Sequence, residues 1–213
     1  MNHKLLLVDD DDLVHRTLLY ALKDTNLDIR TTDCPIKALE ILKEEPFSIV
    51  LTDLSMPKMT GLELLKEIKT LYPKTTVIIM TGLATVKDAV SAIQKGAFDY
   101  ISKPIVSTEL KVLLRRSLKE KSLEQEVVQL RAEVERQYSP QNIIGNTPAI
   151  NDCFDLVEAV ARTEAIVLLT GSTGTGKELF ARSIHYSSGR AKDPFLAINC
   201  ASLPKNLLES ELF

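Results

Sequence analysis

Five polar residues, Asp9, Asp10, Asp53, Thr81 and Lys103, end or closely follow short apolar runs in this 213-residue chain. Their types suit one shared reaction centre. Three carboxylates drawn together repel one another unless a cation neutralises them. An all-oxygen site of that kind suits Mg2+, which keeps several waters and often bridges carboxylate to phosphate. Beside such a cation Asp53 is placed to attack a phosphoryl donor and form an acyl phosphate. Lys103 would neutralise phosphoryl oxygens, and the Thr81 hydroxyl would hydrogen-bond one. Taken singly, these residues have plainer roles. The aspartate run 9–12 suits a solvated turn, with Asp11 or Asp12 capping a following helix. Asp53 alone suits a loop, and Lys103-Pro104 a turn. Only the joint placement at four strand ends is specific.

A second stretch with chemistry in its spacing is GSTGTGKE, residues 171–178. It follows an apolar run at 166–169 and opens a helical pattern near Lys177, the context a phosphate-binding loop requires. Gly171, Ser172, Thr173, Gly174, Thr175 and Gly176 would offer successive backbone N–H groups as a nest for a β-phosphate. Lys177 would reach the β- and γ-oxygens. The alternative is an ordinary strand–helix turn. A Ser or Thr usually follows the lysine and gives its hydroxyl to Mg2+; this chain has Glu178 instead.

Such residues need elements to carry them. Apolar runs at 5–8, 49–52, 77–80 and 98–101, with a weaker one at 27–31, read as buried strands. Between them Val14, Leu18 and Leu22 recur at spacing four, and Leu62, Leu65 and Ile68 at spacing three. Val86, Val90 and Ile93 mix the two, and Pro35 fits the first turn of a helix carrying Ala38, Leu39 and Leu42. Five β–α alternations predict a parallel sheet covered by helices on both faces. Right-handed crossovers then put every strand's C-terminal end on one rim. By analogy with flavodoxin-like sheets the strand order is 2-1-3-4-5, which makes strands 1 and 3 neighbours and their crevice the ligand site.

From residue 105 to 138 the texture changes. Glycine and proline vanish, and 7 basic residues mix with 6 acidic ones. Leu123, Val127, Leu130 and Val134 form a seam of about two heptads. Two readings stand: a solvated helix extending the one before it, or a short dimerising linker. Ser139-Pro140 breaks this helix. A helical pattern at 150–161, a strand at 166–169, the glycine-rich loop and a strand at 195–199 follow.

Composition sets the outer limits. Hydrophobic residues make up 45% and charged residues 26%, ordinary for a globular chain with a buried core. A net charge of −3 gives no overall basic signature for nucleic acid. Cys34, Cys153 and Cys200 are odd in number and widely spaced, which points to reduced thiols in a cytoplasmic protein without disulfide frame or zinc site. The apolar run 5–8 is too short for a signal peptide or membrane span.

Val8-Asp9-Asp10, Asp53-Leu54-Ser55-Met56-Pro57, Gly61, Met80-Thr81-Gly82 and Lys103-Pro104 resemble the response-regulator receiver domain over about residues 1–120. The resemblance implies that Asp53 is the phosphoacceptor and that a phosphohistidine on a sensor histidine kinase is the donor. It implies Mg2+ held by Asp9, Asp10, Asp53 and the backbone carbonyl of Ser55. Thr81 and Tyr100 would be the switch pair, although Tyr100 also reads as a half-buried edge aromatic. A cis peptide before Pro104 is implied as well.

The second half carries another likeness. GSTGTGKE, Ile143-Ile144-Gly145 ahead of it, and Asn199-Cys200 with Glu209-Ser210-Glu211-Leu212-Phe213 behind it resemble the AAA+ domain of bacterial sigma-54-dependent transcription activators. That family's loop typically reads GExGTGKE; Ser172 replaces the glutamate, which touches only a peripheral contact. The resemblance implies ATP at residues 171–178, with Ile144 and Gly145 bordering the adenine. Residues 143–145 read equally well as a turn with two core isoleucines. A sheet ordered 5-1-4-3-2 is implied too, with 166–169 as strand 1 and 195–199 as strand 2. Strands 3 and 4 are expected beyond Phe213, which leaves both runs without their neighbours.

The expected architecture is α/β: a receiver over residues 1–120, a helical coiled-coil linker over 121–138, and the N-terminal part of a P-loop AAA+ domain over 139–213. The expected function is a phosphorylation-controlled response regulator that forms a homodimer through its linker. In a full-length parent it would drive ATP-dependent activation of sigma-54 RNA polymerase on DNA, with no membrane involved. Walker B acids, an arginine finger, a sigma-contacting loop and a helix-turn-helix are absent from the 213 residues. The chain is therefore expected to be the N-terminal part of such an activator, one that touches ATP without hydrolysing it. A stand-alone phosphate sink or dimerisation decoy is one alternative, separable by the downstream genomic sequence. An unrelated P-loop ATP-using enzyme is the other, disfavoured because no general base or substrate pocket follows the loop.

Overall fold

The computed structural model describes residues 3–82, 86–138, 143 and 147–200, with the side chains of 86–89 left aside. The chain divides into two units, Met1–Leu123 and Glu124–Phe213. The first is built on five strands, β1 (His3–Val8), β2 (Leu27–Thr32), β3 (Ile49–Asp53), β4 (Thr76–Thr81) and β5 (Asp99–Ser102). All pairs are parallel and the order is β2-β1-β3-β4-β5. The helices between them are α1 (Asp12–Ala21), α2 (Pro35–Glu44), α3 (Gly61–Leu71) and α4 (Val86–Gln94), and α5 (Ser107–Gln137) follows β5.

The inner strands β1, β3 and β4 are apolar on both sides because helices cover both sides, while the edge strands β2 and β5 alternate. Leu5, Leu7, Ile49, Leu51, Ile78, Met80 and Ile101 pack on one face with Leu18 of α1, Leu22 at its C-cap, and Leu110 and Leu114 of α5. Leu6, Val8, Val50, Val77 and Ile79 alternate to the other face. They meet Ala38 and Leu42 of α2, Leu64, Leu65 and Ile68 of α3, and Ala92 of α4. Val90 and Ile93 of α4 are nearly half exposed, so the apolar spacing there marks the helix without marking its core face. Local chemistry fixes the helix starts. The Asp11 carboxylate accepts from the Leu13 N–H at 2.8 Å and caps α1. Thr60 and Glu63 form a reciprocal capping box on α3.

Helix α5 runs unbroken through the charged segment as 31 residues. In the second unit α6 (Pro148–Ala161) and α7 (Lys177–Tyr186) follow. The sequence predicts strands at 166–169 and 195–199, and neither forms. A strand exists through its ladder, and among the described residues these runs have no sheet neighbour. Ile166, Leu168 and Leu196 are largely exposed as a result. Residues 167–170 instead border an apolar cavity of about 450 Å3 together with Leu156, Phe180 and Ile184. The runs 166–169 and 195–199 are both unpaired among the described residues, as expected of strands 1 and 2 of a 5-1-4-3-2 sheet without their neighbours. No helix among them is long and apolar enough to cross a membrane.

Candidate functional site

Register brings the rim together. Val8 pairs with Thr52, so Asp9 and Asp53 leave adjacent strands at the same level. Thr81 closes β4 beside Ser102 of β5, and Lys103 follows directly, its N–H donating to the Thr81 carbonyl at 2.8 Å. Asp9 is fully buried, and Asp53 and Thr81 nearly so. The Lys103 ammonium lies between the two carboxylates, 2.7 Å from Asp9 Oδ2 and 2.6 Å from Asp53 Oδ1. The remaining oxygens are held by backbone: the Asp11 N–H donates to Asp9 Oδ1 at 3.0 Å, and the Ser55 N–H to Asp53 Oδ2 at 2.8 Å. Burial alone pushes Lys103 towards a lower pKa. Hydrogen bonds and charge from Asp53 and Asp9 outweigh it and hold the pKa above lysine's ordinary value.

The aspartate run divides its labour. Asp9 belongs to the buried pair, Asp10 is exposed at the rim, Asp11 caps α1, and Asp12 pairs with Arg16 one turn on. Among the described residues no three acidic, histidine or cysteine side chains converge as a metal-holding group. Lys103 supplies the cation between Asp9 and Asp53. Tyr100 is 40% exposed on β5, with its N–H donating to Asp99 Oδ1, and the Lys103–Pro104 bond is cis.

Behind the rim, the loop from Asp53 folds back so that α3 begins against β3. The Gly61 N–H donates to the Leu54 carbonyl at 2.9 Å. A Cβ on Gly61 would stand 2.1 Å from the Asp53 carbonyl oxygen, so only hydrogen fits there. Glycine in the motif was visible in sequence; its close approach to the Asp53 backbone was not.

In the second unit, Gly174 and Gly176 take left-handed φ values of 85° and 82°, and Gly176 forms the N-cap of α7. The Thr175 hydroxyl donates to the Ser172 carbonyl at 2.8 Å. Lys177 Nζ donates to the Gly171 and Ser172 carbonyls at 3.0 and 2.8 Å, so the ammonium rests on its own loop. Glu178 is turned along the helix to Arg182. Ser172 and Thr173 are exposed members of the same loop. Ile144 and Gly145 lie outside the described residues.

Comparison with known proteins identifies this arrangement. Residues 5–115 match the response regulator receiver domain. The chain belongs to that family. Residues 143–213 match the sigma-54 interaction domain, and the two together, in this order, make it a sigma-54-type response regulator. Regulatory protein AtoC of Escherichia coli K12 is 40% identical over 99% of this chain and 46% of its own length. The DNA-binding transcriptional regulator NtrC of the same strain is 42% identical over 97% of this chain and 43% of its own. The chain thus spans less than half the length of these curated relatives. Among solved structures, NtrX from Brucella abortus in complex with ATP is 33% identical, with a TM-score of 0.60 over 100% of this chain and 47% of that one. A receiver domain of an HD domain-containing protein from Pseudomonas fluorescens Pf-5 is 29% identical, with a TM-score of 0.55 over 57% of this chain and 98% of its own.

Proposed function

We propose that this response regulator accepts a phosphoryl group on Asp53 from a phosphohistidine of a sensor histidine kinase. One observation carries the reading: a half-buried lysine bridges two buried carboxylates on adjacent strand ends, with a buried threonine at the next. The Asp53 carboxylate forms the new O–P bond as the P–N bond of the donor breaks, and the electron pair returns to the imidazole, which takes up a proton. Lys103 moves its charge to the phosphoryl oxygens, and the Thr81 hydroxyl donates to one of them. Tyr100, now outward, is the group that follows Thr81. Asp9 and Asp53, already gathered around the Lys103 ammonium, support a Mg2+ site at the rim, which the exposed Asp10 would have to turn inward to join. Asp9, Asp10, Asp53 and the Ser55 carbonyl would hold it. When bound it neutralises charge on the transferring group.

Residues 171–178 are read as an ATP-phosphate loop, supported by the left-handed glycines ahead of α7 and by the ATP complex of NtrX. Residues 1–120, 121–138 and 139–213 serve as receiver, linker and partial AAA+ domain of a cytoplasmic protein. The linker reading as a homodimer seam rests on Leu123, Val127 and Leu130, each about half exposed on α5. In the full-length parent the output is ATP-dependent activation of sigma-54 RNA polymerase on DNA.

The test is incorporation from acetyl phosphate. Wild type should take up one hydroxylamine-labile phosphoryl group only when Mg2+ is present, and Asp53→Asn none. Equal uptake by Asp53→Asn would remove the assignment.

A further inference from the structure

The second unit holds a cluster that neither the phosphate loop nor the receiver accounts for. The Arg182 guanidinium of α7 lies over two aromatic rings, 5.1 Å from the Tyr138 centroid and 4.9 Å from that of Phe195. Tyr138 directly follows α5, its N–H still donating to the Val134 carbonyl at 3.1 Å. Its ring stacks on Tyr186 at 5.6 Å, and His185 closes the cluster against Phe195 at 5.3 Å. From this seat Arg182 reaches back one turn and gives both Nε and Nη2 to Glu178 Oε1, at 3.0 and 2.8 Å.

Glu178 is the residue after Lys177 and lies in the first turn of α7. A carboxylate there is attracted to the unpaired N–H groups and positive end of the helix. Those are the groups an incoming phosphate needs. An untethered Glu178 would therefore compete with phosphate for the loop and for Lys177. Arg182 draws it the other way, along the helix. The grip of Arg182 in turn depends on the rings, because an exposed i,i+4 ion pair by itself is weak. The planar guanidinium stacks on aromatic faces in a way an ammonium does not.

We propose that Arg182 is a positioning residue of the nucleotide loop: clamped by Tyr138 and Phe195, it holds the Glu178 carboxylate off the phosphate cradle. The residue that follows α5 thereby governs how open that cradle is to phosphate. This rests on reading residues 171–178 as a nucleotide site.

The experiment is calorimetric titration of the 213-residue chain with Mg2+ and ADP, with circular dichroism confirming that each variant keeps its helix content. Arg182→Ala and Tyr138→Leu should each weaken ADP binding about threefold to tenfold, and Arg182→Lys should not rescue. Tyr138→Phe should bind as wild type, since it keeps the ring. Adding Glu178→Gln to Arg182→Ala should recover most of the loss, which a merely structural role for Arg182 would not produce. Wild-type affinity in Arg182→Ala, no recovery in the double variant, or equal binding by Tyr138→Leu and Tyr138→Phe would each overturn the clamp. Lys177→Ala separates the two readings. If it binds ADP as well as wild type does, the nucleotide site itself is wrong and the clamp falls with it.

Discussion

Gly61→Ala is the sharpest probe of how the fold holds Asp53. The added Cβ would stand 2.1 Å from the Asp53 carbonyl oxygen, 3.0 Å from its carbon and 3.1 Å from Leu54 Cα. All three are backbone atoms, so no side chain can swing away. The start of α3 and the end of β3 must part until the closest contact reaches at least 3.0 Å. Overpacking of this sort costs about 1–3 kcal/mol. The same displacement moves Asp53, the proposed phosphoacceptor, and misplacing a reacting group by about 1 Å costs on the order of 10²-fold in rate. Gly96→Ala is the control. Gly96 has φ 94°, and a methyl group added there would lie 3.6 Å from its nearest neighbour, the Lys69 side chain. Alanine at that position strains the backbone without touching Asp53. It should cost about 1–2 kcal/mol and leave phosphorylation unchanged. Urea unfolding gives the stabilities, and initial rates with acetyl phosphate and Mg2+ give the chemistry. Gly61→Ala should lose about 10²-fold in rate at a stability loss similar to that of Gly96→Ala. A wild-type rate in Gly61→Ala would mean that the Gly61 contact does not hold Asp53 in place.

Three further outcomes follow from the same geometry. The Lys103 pKa is raised in the folded state, so its contribution is fully present below lysine's ordinary pKa and is lost as pH rises through the higher folded value. The stability difference between wild type and Lys103→Gln should therefore be flat from neutral pH to about pH 10 and shrink above it, as read by urea unfolding across pH. The linker should give a weak, concentration-dependent dimer in sedimentation, abolished by Leu130→Glu, because a seam of about two heptads buries little area. A strict monomer at high concentration would contradict this. Hydrogen exchange should find the amides of residues 166–169 exchanging orders of magnitude faster than those of β1, β3 and β4, for want of a ladder.

The receiver half was legible because several levels of its sequence agree. The apolar runs, the spacing of Leu18 and Leu22, and the polar residue at each strand end all demand one parallel sheet. Once parallel, Asp9, Asp53, Thr81 and Lys103 have only one rim to occupy. Sequence could not show Lys103 resting between the carboxylates, since that depends on side-chain reach. The run 166–169 reads as a strand by composition, yet a ladder needs partners that a one-dimensional pattern cannot supply. Likewise, the four-residue spacing of Glu178 and Arg182 was visible as a helix pair. The rings that seat Arg182 come from positions 138 and 195, and nothing local links them.

Everything proposed for the receiver turns on Asp53 taking the phosphoryl group. Reductive trapping tests it most directly: react the chain with acetyl phosphate and Mg2+, reduce with borohydride, digest, and locate the modified residue by mass spectrometry. Homoserine at position 53, with no other modified carboxylate, is the expected result. Modification at Asp9 or Asp10 with Asp53 intact would contradict it.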